Sequence, residues 1–265
     1  MSATVSFGIG SDVGVVREEN QDCVGKFPDD TVDFSTPQGL LFVVADGMGG
    51  HRGGRMASQL AVKVIGERFF SSENTGTVAD RLLAAVTAAN KHIYEYSLDQ
   101  PELNGMGTTC VTLALHQSGV CIAHVGDSRI YRVSNRKITQ LTNDHSRVAE
   151  MERRGILTKE EALVHPERSQ LYRALGVRAE VEVDVADGVD FRRGDYFVLC
   201  TDGLSNMVED DEIMDLVIKH SPQDACDSLI ALANQRGGFD NITVEVVQIN
   251  GSESFFDRLK NTIVR

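Results

Sequence analysis

Leu40-Leu41-Phe42-Val43-Val44-Ala45-Asp46-Gly47-Met48-Gly49-Gly50-His51 is the part of the chain on which the reading of the fold turns. Six apolar residues in a row have strand length and no polar alternation, which predicts a strand buried on both faces. An aspartate closes the run. Residues 47–54 then hold five glycines, broken by Met48, His51 and Arg52. A bare hairpin does not need that many.

Downstream, residues 55–70 read as a helix, with Ala57, Leu60, Ala61, Val64 and Ile65 at helical spacing, and 78–98 as a second amphipathic helix. Upstream, 5–10 and 23–27 read as short strands, and 28–39 as a turn-rich loop. The middle is β-rich, with candidates at 108–115, 119–125, 129–133 and 138–141. The charged stretch 144–174 changes character: one helix ends near Gly155, and the capping box Thr158-Lys159-Glu160-Glu161 opens another, so it reads as an inserted helical flap. Strands at 181–186 and 195–200, helices at 209–219 and 222–235, and a strand at 242–249 follow. Elements in blocks fit an α+β fold, a central β-layer with helices outside, better than βαβ alternation. One domain over residues 1–250 is expected. In the tail, 251–265, Phe255, Phe256, Leu259 and Ile263 either pack back or recruit a partner.

With 265 residues and 42% hydrophobic content the chain can bury a core. Its net charge of −13 argues against nucleic acid as the main ligand, because phosphate backbones require clustered Lys and Arg. Cys23, Cys110, Cys121, Cys200 and Cys226 are odd in number and form no C-x-x-C pair, so they read as buried free thiols in a reducing compartment. No stretch reads as a signal peptide or a membrane span, and a cytoplasmic location is expected.

Candidate chemistry lies with aspartates. Asp46, Asp127 and Asp202 each follow an apolar run, Asp240 precedes the last strand, and Asp22 precedes the second. A carboxylate at a strand end is rigidly mounted and opens onto a loop layer. Several converging there repel one another unless a cation compensates them. Mg²⁺ and Mn²⁺ take such oxygen ligands, and two ions about 3.5–4 Å apart activate water and polarise a phosphoryl oxygen. Any one of these aspartates alone is equally a turn or cap residue.

Eight stretches in order carry a resemblance: Gly14-Val15-Val16-Arg17-Glu18-Glu19-Asn20-Gln21-Asp22; Val44-Ala45-Asp46-Gly47-Met48-Gly49-Gly50-His51; Gly107-Thr108-Thr109; Ala123-His124-Val125-Gly126-Asp127-Ser128-Arg129; Leu141-Thr142-Asn143-Asp144-His145-Ser146; Arg173-Ala174-Leu175-Gly176; Leu199-Cys200-Thr201-Asp202-Gly203-Leu204; and Asp240-Asn241-Ile242-Thr243. Over about residues 4–249 the chain resembles the PPM, or type 2C, metal-dependent protein phosphatases, in particular their bacterial members. The resemblance implies a β-sandwich of two antiparallel sheets flanked by helices (α-β-β-α), with a flap at about 143–174. It implies two Mn²⁺ or Mg²⁺ ions, bridged by Asp46, with Gly47 offering its carbonyl, Asp202 and Asp240 completing one shell and Asp22 close by. A third, weaker ion would lie on Asp127 and Asp202. Arg17 would hold the substrate phosphate. Phosphoserine and phosphothreonine in proteins would be the substrates, attacked by a metal-bridging hydroxide, in opposition to a bacterial Ser/Thr kinase, and a monomer is expected.

Animal relatives carry a histidine, proposed as general acid, where Met48 stands. The nearest candidate here is His51, for which a helix-capping role is equally open. Two competing functions are a catalytically silent phosphoprotein-binding regulator and a phosphoesterase acting on nucleotides or nucleic acid. The aspartates weigh against the first, and the acidic charge against the second. His124 reads as a core or neighbouring-shell residue, His145 as a cap of the flap helix with substrate contact as the alternative, and Arg153-Arg154 as a solvated helix face with phosphopeptide docking as the sharper option.

Overall fold

The computed structural model describes residues 3–36, 38–49, 51–117 and 119–250, so the expectations for the tail at 251–265 lie outside the described residues. The apolar run becomes β3 (Leu40–Met48), buried from Leu40 to Ala45. It is central in a sheet ordered β2 (Asp22–Phe27), β3, β5 (Cys110–His116), β6 (Gly119–Val125), β9 (Asp184–Val189), with β4 (Gly107–Thr108) pairing the end of β3. The second sheet is ordered β1 (Val5–Asp12), β11 (Ile242–Ile249), β10 (Tyr196–Cys200), β7 (Arg129–Ser134), β8 (Lys137–Gln140). Every pairing is antiparallel.

Both faces of each sheet are used, which explains the unbroken apolar runs. Phe42, Val44, Leu113, Ile122, Phe197, Leu199 and Val247 fill the space between the sheets. On the outer face of the first sheet lie α1 (His51–Phe69) and α2 (Val78–Asp99). Ala57, Ala61, Ile65 and Phe69 recur at four-residue spacing and meet Leu82, Ala85, Val86 and Ala89. On the second sheet, α5 (Asp202–Ser205), α6 (Asp210–Lys219) and α7 (Pro222–Gln235) cover Val198, Cys200, Val244 and Val246. These layers are the expected four-layer sandwich. Each fully buried Leu, Ile, Phe or Val contributes roughly 1.5–3 kcal/mol. The five cysteines are free and at least half-buried.

Three boundaries differ from expectation. α1 begins at His51, not near residue 55. Gly53 and Gly54 are poor helix formers, but the missing Cβ of Gly54 lets this turn lie against the backbone of Gly47, where a side chain on either glycine would collide with the other's carbonyl. β9 lies at 184–189 rather than 181–186, because its register is set by the bulged pairing with β6. The helix α5, four residues long, is too short to carry a periodic signal. Residues 143–174 contain α3 (Arg147–Arg153) and α4 (Lys159–Val164), the latter with the anticipated Thr158–Glu161 capping box.

One inward residue conflicts with its surroundings. Glu245 lies on the same face of β11 as Val247, is fully buried, and has no hydrogen-bond partner on either carboxylate oxygen. Burial pushes its pKa well above the usual carboxylate range, and the charge of Lys26 opposes this only in part. That ammonium is already held by the carbonyls of Pro28, Asp29 and Thr31. A raised folded-state pKa means stability that is full below the unfolded value and lost as pH rises. Glu245→Met is therefore expected to raise the melting temperature, by the equivalent of about 1–3 kcal/mol. Thermal melts should show a larger gain at pH 8 than at pH 5. A lower melting temperature at both would contradict this account.

Candidate metal centre

Strand register brings the aspartates together. Asp22 opens β2 directly opposite Asp46 near the end of β3. In the other sheet Cys200, the last residue of β10, pairs with Arg129, the first of β7. Asp202 follows one and Asp127 precedes the other, so both lie past the same sheet edge. Asp240 precedes β11 at that edge. Five carboxylates far apart in sequence thus meet at one end of the sandwich. Asp46, Asp127, Asp202 and Asp240 line one cavity with Arg17, Gly47 and Asn241.

The backbone beneath is tightly held. The Asp46 carbonyl accepts from the Thr109 amide and the Thr108 hydroxyl, both at 2.8 Å, while the Asp46 amide donates to Thr109 Oγ1 at 2.9 Å. Thr109 Oγ1 also lies 2.7 Å from Ser128 Oγ, linking the Asp46 strand to the turn that carries Asp127. In that turn Gly126 has φ +108°, and a Cβ there would meet Thr109. Thr201 Oγ1 donates to Asp22 Oδ2 at 3.0 Å, and Asn206 Nδ2 to Asp202 Oδ2 at 3.0 Å.

Electrostatically the cluster is unfavourable to itself. Burial first, and then neighbouring carboxylates, push Asp22, Asp46, Asp127 and Asp202 above the ordinary range; hydrogen bonds from Thr243 and Thr201 partly oppose this at Asp22. Asp22 Oδ1 and Asp202 Oδ1 are buried with no hydrogen-bond partner. Orphaned buried carboxylate oxygens within a cluster of five carboxylates are what a hard divalent cation would satisfy, so the residues present fit such ions.

Arg17 is on the rim. Its guanidinium donates to Asp240 Oδ2 at 2.7 Å and its side chain is 54% exposed. The loop bearing it is fixed by Asn241, whose amide donates to the Val13 and Glu19 carbonyls and whose Oδ1 accepts from the Gln21 amide. His51 opens α1, but its side chain lies outside the described residues.

Sequence reasoning missed the supporting shell of Thr108, Thr109, Thr201 and Asn241 and misassigned His145. Ser146, not His145, caps α3, its hydroxyl accepting from the Ala149 amide. His145 instead accepts from the Gly126 amide through Nδ1, at 3.1 Å. Its ring stacks on His124 at 4.7 Å, and burial, His124 and Arg173 lower its pKa to about 4. Arg153 and Arg154 both pair with Glu150, and Arg153 also reaches the Asp144 carbonyl and Tyr172, more engaged than a purely solvated face.

Five clustered carboxylates on an α-β-β-α sandwich, with a guanidinium at the rim, have the donor set that a metal-dependent phosphoester hydrolase requires. The Protein phosphatase 2C family profile matches residues 21–236, and the chain belongs to this family of metal-dependent serine/threonine protein phosphatases, in its bacterial branch. It is 41% identical over 244 residues to the serine/threonine phosphatase stp of Listeria welshimeri, covering 91% of this chain and 94% of that one. The crystal structure of the Mycobacterium tuberculosis serine/threonine phosphatase PstP/Ppp superposes with a TM-score of 0.82 at 34% identity, covering 94% of this chain and all of that one. The catalytic domain of PstP in complex with two manganese ions does so with a TM-score of 0.80 at 32% identity, over 94% and 100% of the two chains. Among the described residues no helix is long and apolar enough to cross a membrane.

Proposed function

We propose that Asp22, Asp46, Asp202, Asp240 and the Gly47 carbonyl hold two Mn²⁺ or Mg²⁺ ions, with a third, weaker site on Asp127 and Asp202. The observation that carries this reading is the pair of orphaned, buried carboxylate oxygens within the five-aspartate cluster. Bound there, such ions supply Lewis-acid polarisation of a phosphoryl oxygen and lower the pKa of a water.

The chain's own residues do the rest. Asp46 stands where both sheets' carboxylates converge and sets the spacing of whatever lies between them. Thr201 and Asn206 each take one oxygen of a ligand carboxylate, of Asp22 and Asp202 respectively, and leave the other without a partner. Arg17 is exposed enough to leave Asp240 and take two phosphate oxygens with its planar fork. His51 is retained as the candidate general acid. Residues 143–174 act as a flap, and the groove between them and Phe239, Met207 and Asn206 receives residues flanking the phosphorylated side chain. The substrates are phosphorylated proteins, including a Ser/Thr kinase and its targets, met by a monomer in the cytoplasm.

The test is Arg17→Ala. With the chelator-stripped protein, calorimetric titration should still give at least two Mn²⁺ per chain, while KM for a phosphothreonine peptide rises about tenfold with kcat little changed. Titration of the unsubstituted protein yielding fewer than two ions would remove the metal assignment. A loss confined to kcat would move Arg17 from substrate binding to the transition state.

A further inference from the structure

His145 holds the turn that carries Asp127 through two reciprocal bonds. Its amide donates to the Gly126 carbonyl at 2.9 Å, and the Gly126 amide donates to its Nδ1 at 3.1 Å. Gly126 directly precedes Asp127. Because Nδ1 accepts, the ring proton of the neutral imidazole lies on Nε2, which faces Asp184 Oδ2 at 3.3 Å. The ring is 2% exposed and lies against the rings of His124 and Tyr172.

The same histidine joins both ends of the 143–174 segment. Its carbonyl accepts from the Tyr172 amide at 2.9 Å. Arg173 closes the far side, donating to Asp184 Oδ1 at 2.6 Å and to Glu182 at 2.7 Å. His124, His145 and Asp184 have the composition of a transition-metal site. We do not read them as one, because the Arg173 guanidinium already supplies the cation: Nη1 stands 3.1 Å from His145 Nε2 while bound to Asp184.

We propose that His145 is a positioning residue for Asp127: through the Gly126 amide it sets the carboxylate's pose, and so ties occupancy of the weak metal site to the seating of the 143–174 segment. This rests on the reading of Asp127 as a metal ligand. Asp184 acts at one remove, accepting from Nε2 and so leaving Nδ1 as the acceptor, and Arg173 holds Asp184 in place. Partners of this kind change metal affinity by about 10–100-fold when removed.

Isosteres separate positioning from bulk structure. The Oδ1 of asparagine can stand for Nδ1 and accept from Gly126, whereas the glutamine amide reaches instead towards Nε2. With full-length, EDTA-stripped protein, calorimetric Mn²⁺ titration should show the weakest step lost in Asp127→Asn. It should be weakened about tenfold in His145→Gln and kept within about twofold in His145→Asn. Melting in EDTA checks that each variant folds. Glutamine behaving as wild type, or both variants equally impaired, overturns the inference while Asp127→Asn still upholds the ligand. If Asp127→Asn keeps the weak step, the ligand reading fails and the inference with it. Should the His145 variants not fold, the unsubstituted protein decides. In a Mg²⁺ titration followed by ¹⁵N NMR, the Gly126 amide and His145 Nδ1 must shift together at the weak step, and not in Asp127→Asn. No such shift overturns the inference.

Discussion

Asp46→Asn is expected to give a folded protein that melts higher than the unsubstituted chain in EDTA at pH 8 and has lost Mn²⁺-dependent hydrolysis of a phosphothreonine peptide. The two outcomes have one cause. Asp46 is partly buried, and its pKa is pushed well above the usual range by burial first, then by the charges of Asp22, Asp202, Asp127 and Asp240. A carboxyl whose folded-state pKa lies above its unfolded value contributes stability that is complete below the unfolded pKa and disappears as pH rises through the folded one. Asp22, Asp127 and Asp202 share that direction. The metal-free protein should therefore weaken from about pH 4 upward, and removing the carboxylate that the other four act upon should relieve much of that loss. The same substitution deletes the carboxylate proposed as the ligand at the centre of the site. Lewis-acid stabilisation is worth several kcal/mol, so activity should fall by about three orders of magnitude or more. Melting curves across pH in EDTA and in Mn²⁺, beside peptide hydrolysis, measure both. An Asp46→Asn protein that is less stable in EDTA and still turns over would place the carboxylate outside the centre.

The parts of this site that could be read in the sequence are those attached to a strong periodic signal. Asp46, Asp127 and Asp202 each close an apolar run, so recognising the strand also located the carboxylate. That Asp22 faces Asp46 depends on register, which follows from pairing across β2 and β3. The supporting shell has no such marker. Asn241 pins the Arg17 loop through backbone groups more than 200 positions away, and a polar residue bonding to main chain looks in sequence like any loop residue. His145 was misassigned for the same reason: beside Ser146 it resembles a cap, while its partner is an amide 19 residues earlier. β9 went astray because it is an exposed edge strand whose position is fixed by the bulge opposite, not by its own apolar pattern.

Asp144→Ala should be the most destabilising single change near the flap base. Arg129 opens β7, and its guanidinium donates from Nε and Nη2 to the Asp144 carboxylate, the shortest contact being 2.8 Å. Gln140 donates to the same carboxylate, and Arg129 Nη1 donates to the hydroxyl of the fully buried Tyr131. The two side chains are 25% and 12% exposed, so this pair is little screened. Removing the carboxylate leaves a mostly buried guanidinium, which cannot lose its proton, without its directly bonded counter-charge, at a cost of about 3 kcal/mol. For a domain of this size that corresponds to a melting temperature lower by roughly 6–10 °C. The cost belongs to the uncompensated charge and not to the pair as such, so Arg129→Met combined with Asp144→Leu should recover more than half of it. Asp144→Asn, which keeps an acceptor for the guanidinium, should fall between. If the double replacement is instead as unstable as both single changes added together, the pair contributes net stability, and the desolvation argument is wrong for this site.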